Sequence, residues 1–150
     1  MSSDVVPVEI RAIRPDRSWY ALYLGADTKV FVMVVESHVG SAIERYLFGQ
    51  KSDRPQTHDL IQLVFKGLGV TVERVVISEV KDSVYYARLI LQQNNELGRK
   101  VIELDARPSD CLALATALKR PIFVTRSVLD QVNDQSETLE RSGDWESQQE

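Results

Sequence analysis

The sequence predicts an α+β domain with a mainly antiparallel sheet and three to four helices packed on it. Three observations lead there. Two groups of β-forming runs occur in succession, joined by turns too short for crossover helices. Between the groups the apolar period changes to helical spacing over Ser37–Phe48 and His58–Leu68. Finally, residues 103–124, ELDARPSDCLALATALKRPIFV, read as strand, sharp junction, short helix, stop and strand.

Taken in order, Val6, Val8 and Ile10 alternate with Pro7, Glu9 and Arg11 to give a strand over residues 4–13. Its start is expected near an edge, because Pro7 cannot donate to a ladder. Arg14-Pro15-Asp16 and Gly25-Ala26-Asp27 are turns, separating it from strands at residues 19–24 and 29–35. Ser37 is the expected cap of the first helix and Thr57 of the second, with Asp59 in the second helix's first turn. Gly69 suits a left-handed stop. Residues 70–80 and 83–92 form a long hairpin, with broken alternation suggesting a bulge near Glu73-Arg74. Residues 99–104 return as a strand. Pro108 then fits the first position of a helix and pushes Arg107 out of the α region. Pro121 ends that helix, and Thr125 caps a last short one over residues 126–132.

The 150 residues suit one domain, and 43% hydrophobic with 27% charged residues is the composition of a globular protein. We divide the chain into a folded body, 1–132, and an acidic tail, 133–150, which is expected to be disordered for want of apolar residues. The tail carries six acids against Arg141, a charge of −5, so the body is +1 of the net −4. Such a body lacks the strong basic excess of many nucleic-acid binders. The apolar run Val30–Val35 is too short to span a bilayer, and the first ten residues show no secretory pattern. The expectation is a cytoplasmic protein without membrane partners. Cys111, the single cysteine, falls on an apolar helix face and reads as core.

Gly-rich phosphate loops, CxxC, HExxH and GxSxG are all missing. Two helix starts resemble each other, Thr57-His58-Asp59 and Arg107-Pro108-Ser109-Asp110, each with an acid in its first turn. Brought together, Asp59, Asp105 and Asp110 could hold a hard cation, Mg²⁺ or Mn²⁺. Arg107 and Ser109 would then bind a phosphate, and His58 would move a proton. A metal-free variant uses His58 as base and Arg107 as stabiliser. A structural account stands beside these. Asp59 and Asp110 are then helix-start acids, Arg107 is the partner of one, and Asp105 bonds the turn it precedes. No organic cofactor is expected.

The blocks THDL (57–60) and DARPSDCLALA (105–115), in the wider stretch 53–132, closely resemble the bifunctional nuclease family. Residues 36–40 depart from that family's pattern, which has an isoleucine–glycine pair there. The resemblance implies an α+β domain, self-association into a homo-oligomer, and nuclease activity on RNA and DNA. It assigns no catalytic residues; Asp59, Asp105, Arg107 and Asp110 are selected as the polar positions inside the blocks. The leading expectation is therefore a phosphodiester-hydrolysing nuclease. The alternative is a non-enzymatic binding or assembly module in which DARPSD is a capping signature.

Overall fold

Seven strands form one sheet in the order β3-β2-β1-β7-β4-β5-β6. The computed structural model describes residues 4–149, with side chains through residue 142. The first meander is β1 (Val5–Asp16), β2 (Trp19–Ala26) and β3 (Lys29–Glu36). Helices α1 (Ser37–Leu47) and α2 (Thr57–Gly67) follow, then a second meander, β4 (Val70–Lys81), β5 (Val84–Asn95) and β6 (Gly98–Ala106). The chain finishes with α3 (Pro108–Leu118), β7 (Ile122–Thr125), α4 (Arg126–Gln131) and α5 (Ser136–Gln149). All neighbouring strands are antiparallel except β4 and β7, which are parallel. The α+β class and the antiparallel sheet are thus as the sequence predicts. Among the described residues, no helix is long and apolar enough to cross a membrane.

The four-residue β7 joins the two meanders. It pairs with β1 from Val5↔Thr125 to Val8↔Ile122, and with β4 from Val75↔Ile122 to Ile77↔Val124. A strand with neighbours on both sides and layers above and below needs a continuous apolar run, and Ile122-Phe123-Val124 supplies one. Pro7 faces β7, in the part of β1 that precedes the β2 pairing beginning at Glu9. The expected irregularity in β4 is present as a register shift between Val72 and Arg74. There Arg120 donates from Nε to the Val72 carbonyl (2.7 Å) and from Nη2 to that of Glu73 (3.3 Å). Arg120, just past the end of α3, thus holds the irregularity in β4.

Helix α3 fills the centre of the core. Cys111, Leu112, Ala113, Leu114 and Ala115 are all buried, against Val75, Ile77 and Leu89 of the sheet and Ile43 of α1. Its alanines leave too little side chain to keep neighbours apart, so the helix sits deep. Cys111 is core, as expected. Burial, with the charges of Asp110 and Asp105 adding, pushes its thiol up to about 12.

Three local expectations are corrected. Glu36, not Ser37, caps α1, and its side chain makes no capping bond; Ser37 N donates instead to Ser18 O (3.1 Å). Gln56, not Thr57, precedes α2, and its backbone N–H donates to the Asp59 carboxylate (2.8 Å). Within the acidic segment, residues 136–149 form α5, which makes five helices among the described residues instead of three or four. The cause is an anchor at its start. Asp134 accepts from Val30 N (2.9 Å) and from Ser136 Oγ (2.6 Å), while Gln135 N donates to Val30 O (2.6 Å). Side-chain oxygens at such a start satisfy orphan N–H groups that composition alone does not reveal.

α1 approaches the sheet closely at Gly40. A Cβ there would stand 2.3 Å from Cδ2 of Tyr20. Gly40→Ala should therefore destabilise the fold by about 1–3 kcal/mol through overpacking, measured by urea unfolding.

Candidate functional site

The two helix starts meet. α3 begins with Arg107 in an extended conformation (φ −63°, ψ 139°) and Pro108 at the first helical position. That geometry turns the Arg107 side chain back along its own first turn. Its Nε donates to Asp110 Oδ2 (2.9 Å) and its Nη2 to Asp110 Oδ1 (3.3 Å). His58, at the start of α2, donates from Nε2 to the same Oδ1 (2.9 Å). Arg107 Nη1 reaches across to Glu36 Oε1 (2.5 Å). Because Glu36 makes no capping bond to α1, its carboxylate is available for this contact.

One chain of polar contacts thus runs Glu36–Arg107–Asp110–His58. Glu36 and Arg107 are exposed (51% and 58%), and exposure falls from there through Asp110 (33%) to His58 (8%). Burial pushes the Asp110 carboxyl up, but hydrogen bonds from Arg107 and His58 outweigh it and hold the group below the ordinary carboxylate range. The Arg107 guanidinium is raised above its already high value by Asp110 and Glu36.

The wet end of this chain opens into a cleft of about 900 Å³. Its walls are Trp19 of β2, Phe31–Glu36 of β3, Val80 and Asp82–Tyr85 at the β4–β5 turn, Arg107–Ser109, and residues 131–133 with Gln135. Arg107 and Ser109 are therefore at the cleft, with Ser109 itself buried. His58 lies behind Asp110 and is not part of the wall.

The other expected site residues are placed elsewhere. Asp59 holds α2 to α1: Tyr46 Oη donates to Asp59 Oδ1 (2.6 Å), and Arg45 Nη2 lies 3.4 Å from Oδ2. Burial raises the Asp59 carboxyl, but Tyr46, the Gln56 N–H and Arg45 together lower it below its usual range. Burial and the Asp59 contact push Tyr46 up to about 12. Asp105 stays on β6 opposite Arg88, and its side chain has no hydrogen bond or ion pair among the described residues. The expected grouping of Asp59, Asp105 and Asp110 is therefore not formed. Among the described residues no three His, Cys, Asp or Glu side chains are placed to hold a metal ion. The reason is that Asp59 and Asp110 each have their own cationic partner, which turns them to different neighbours.

Sequence reasoning missed Glu36, which lies 71 positions from the arginine it meets. Its signal was a strand end entering a helix, the same kind of junction that singled out Asp110.

An α+β domain that joins an acid–arginine–histidine chain to an open cleft has the parts of an anion-binding site. The bifunctional nuclease domain family matches residues 22–137, and the chain belongs to that family. An uncharacterized protein of Mycobacterium tuberculosis is 37% identical over 83 residues, 55% of this chain and 46% of that protein. Bifunctional nuclease 1 of Oryza sativa subsp. japonica is 34% identical over 76 residues, 50% of this chain and 22% of that protein. The matched region thus spans less than half the length of either relative. Both THDL and DARPSD lie inside the family match, so the His58–Asp110 contact joins two family blocks 52 positions apart.

Asp110 has a lowered value in the folded state, so its contacts contribute stability above about pH 4 that is lost as pH falls through the folded value. Asp110→Asn should therefore be less stable than wild type at about pH 7. The gap should narrow at about pH 3, as read by urea unfolding at both values.

Proposed function

We propose that this chain is a nuclease domain that hydrolyses phosphodiester bonds in RNA, DNA or both. The observation that carries the reading is the contact chain at the cleft, in which an exposed arginine is aimed by Asp110, itself held by the buried His58. Arg107 is the phosphate-binding group. A planar guanidinium already oriented by Asp110 can turn its remaining donors to a phosphodiester without being ordered first. The incoming phosphate competes with Glu36 for Nη1. The released Glu36 carboxylate is then the oxygen base placed at the cleft to take a proton from the attacking water. Ser109, at the cleft wall, is an additional donor for a phosphate oxygen.

In this reading His58 positions Asp110 instead of transferring a proton itself, because it is buried behind that carboxylate. Asp59 supports the arrangement by fixing the α2 start against α1. No step is assigned to a cation. Glu36 and Asp110 are nevertheless oxygen donors of the kind that suit Mg²⁺ or Mn²⁺, so either ion belongs in the assay. The setting is taken as cytoplasmic, which a single buried cysteine suits.

A second reading, a binding or assembly module, is favoured by one observation: the contacts of Arg107 and Asp110 also tie β3, α2 and α3 together. Activity separates the two. Purified protein should cleave labelled single-stranded RNA or DNA in Mg²⁺ or Mn²⁺, with EDTA as the comparison. Arg107→Ala should lower that rate on the order of 10²–10³-fold while the protein stays folded by circular dichroism. Absence of cleavage under every condition, or an Arg107→Ala rate equal to wild type, would remove the nuclease site from this position. A variant that merely lowered melting temperature would leave the assembly reading in place.

A further inference from the structure

We infer that Trp19 is a stacking platform for a nucleobase, and that it restricts the cleft to single-stranded or locally unpaired nucleic acid. The subsite adjoins the phosphate that the nuclease reading puts at Arg107, and it rests on that reading.

Trp19 is the first residue of β2. Its backbone is paired on both sides, with Asp16 of β1 and Glu36 of β3. A position inside the sheet fixes where the side chain leaves the backbone. The ring itself is left unused by the fold. It belongs neither to the core cluster nor to the partly buried residues packed against it, and the residue is 52% exposed. Among the described residues its indole N–H donates to nothing, and the ring meets no aromatic partner or cation. Leaving so large an apolar group half in water forgoes the stabilisation that its burial would give.

Its neighbours supply the rest of a nucleotide site. Residues directly opposite across an antiparallel pair carry their side chains on one face, with Cβ atoms about 5 Å apart. Trp19 therefore shares a face with Glu36, whose Oε1 accepts from Arg107 Nη1. All three residues line the cleft. A phosphate on Arg107 then has an indole one residue away, within the reach of a single sugar. Val34, diagonal to Trp19 on that face and also exposed, extends the apolar surface beside it. Another wall of the cleft carries unused amides. The Asn133 side chain has no hydrogen bond among the described residues, and Gln135 uses only its Oε1, which accepts from Thr138.

Every base has a π-face, so stacking on an indole holds a base of any type. Amide groups can then meet the base's edge. Inside a duplex each base is stacked on both faces and paired along its edge. None can lie against Trp19 without leaving the helix. A ligand that offered phosphate alone would use Arg107 and leave the indole idle.

The test is fluorescence anisotropy in EDTA with three labelled oligonucleotides of one length: a single strand, the same strand with abasic sites in place of its bases, and its duplex. Cleavage of the single strand in Mg²⁺ or Mn²⁺ is followed in parallel. Wild type should bind the intact single strand more tightly than the abasic strand or the duplex. Trp19→Ala should lower the ratio of intact to abasic affinity by about 5- to 100-fold, the loss of one stacked base. Trp19→Phe should keep most of that ratio, and circular dichroism checks that both variants fold. An unchanged ratio in Trp19→Ala would overturn the stacking subsite, and so would a wild type that binds abasic strand or duplex as tightly as the intact single strand. Cleavage that persisted in either case would leave the nuclease reading standing. Base-dependent binding through Trp19 without any cleavage would do the reverse, supporting the subsite and removing the nuclease reading. Failure to bind any of the three oligonucleotides would overturn both.

Discussion

The interaction on which the site depends is the ionised Asp110 carboxylate, shared between Arg107 on one side and His58 on the other. A carboxylate one-third exposed would ordinarily gain little by ordering its surroundings, because water competes for it. Here two donors converge on it from two helices, and each is fixed by its own backbone. Pro108 sets the direction of Arg107, and the Asp59–Gln56 contact sets the start of α2. The carboxylate therefore orders three elements at once and leaves the arginine pointed at open space. Removing it would release both the tie and the aim.

Much of the fold was legible because the local signals agreed with one another. The Gly69 stop and the Thr125 cap rest on interactions within a few residues, the β-runs and the irregularity beside Glu73 on kept or broken alternation of side chains, and each has its counterpart in the structure. What local signals could not carry was order across the sheet. Nothing in Ile122–Thr125 says that it lies between β1 and β4, since a short apolar run fits any buried strand. The start of α5 was hidden for a related reason. Its anchors are Asp134 and Gln135 acting on Val30, more than a hundred positions away.

The site was legible as a list of polar junction residues and not as a geometry. Arg107, Asp110 and His58 were selected because strand-to-helix and loop-to-helix starts collect unpaired N–H groups, and these three meet. Asp59 and Asp105 were selected on the same ground and do not join them. The difference lies in partners that spacing does not show: Tyr46 and Arg45 claim Asp59, while Asp105 stays in the ladder opposite Arg88. Glu36 entered from a segment that departs from the family's pattern, which is where a motif-based search looks last.

The position of β7 has a consequence for how the chain acquires its structure. Each meander can form as soon as its own hairpins are made, since its pairings are between neighbours in sequence. The two halves cannot become one sheet until Ile122–Thr125 is available to lie between them, and Val5 must wait for Thr125 as its partner. On a ribosome, the first strand therefore emerges with one side vacant and keeps it vacant until nearly the whole domain has been synthesised. Closure is a late, long-range event that a four-residue segment controls. The hydrophobic edges of two half-sheets stay exposed for that interval.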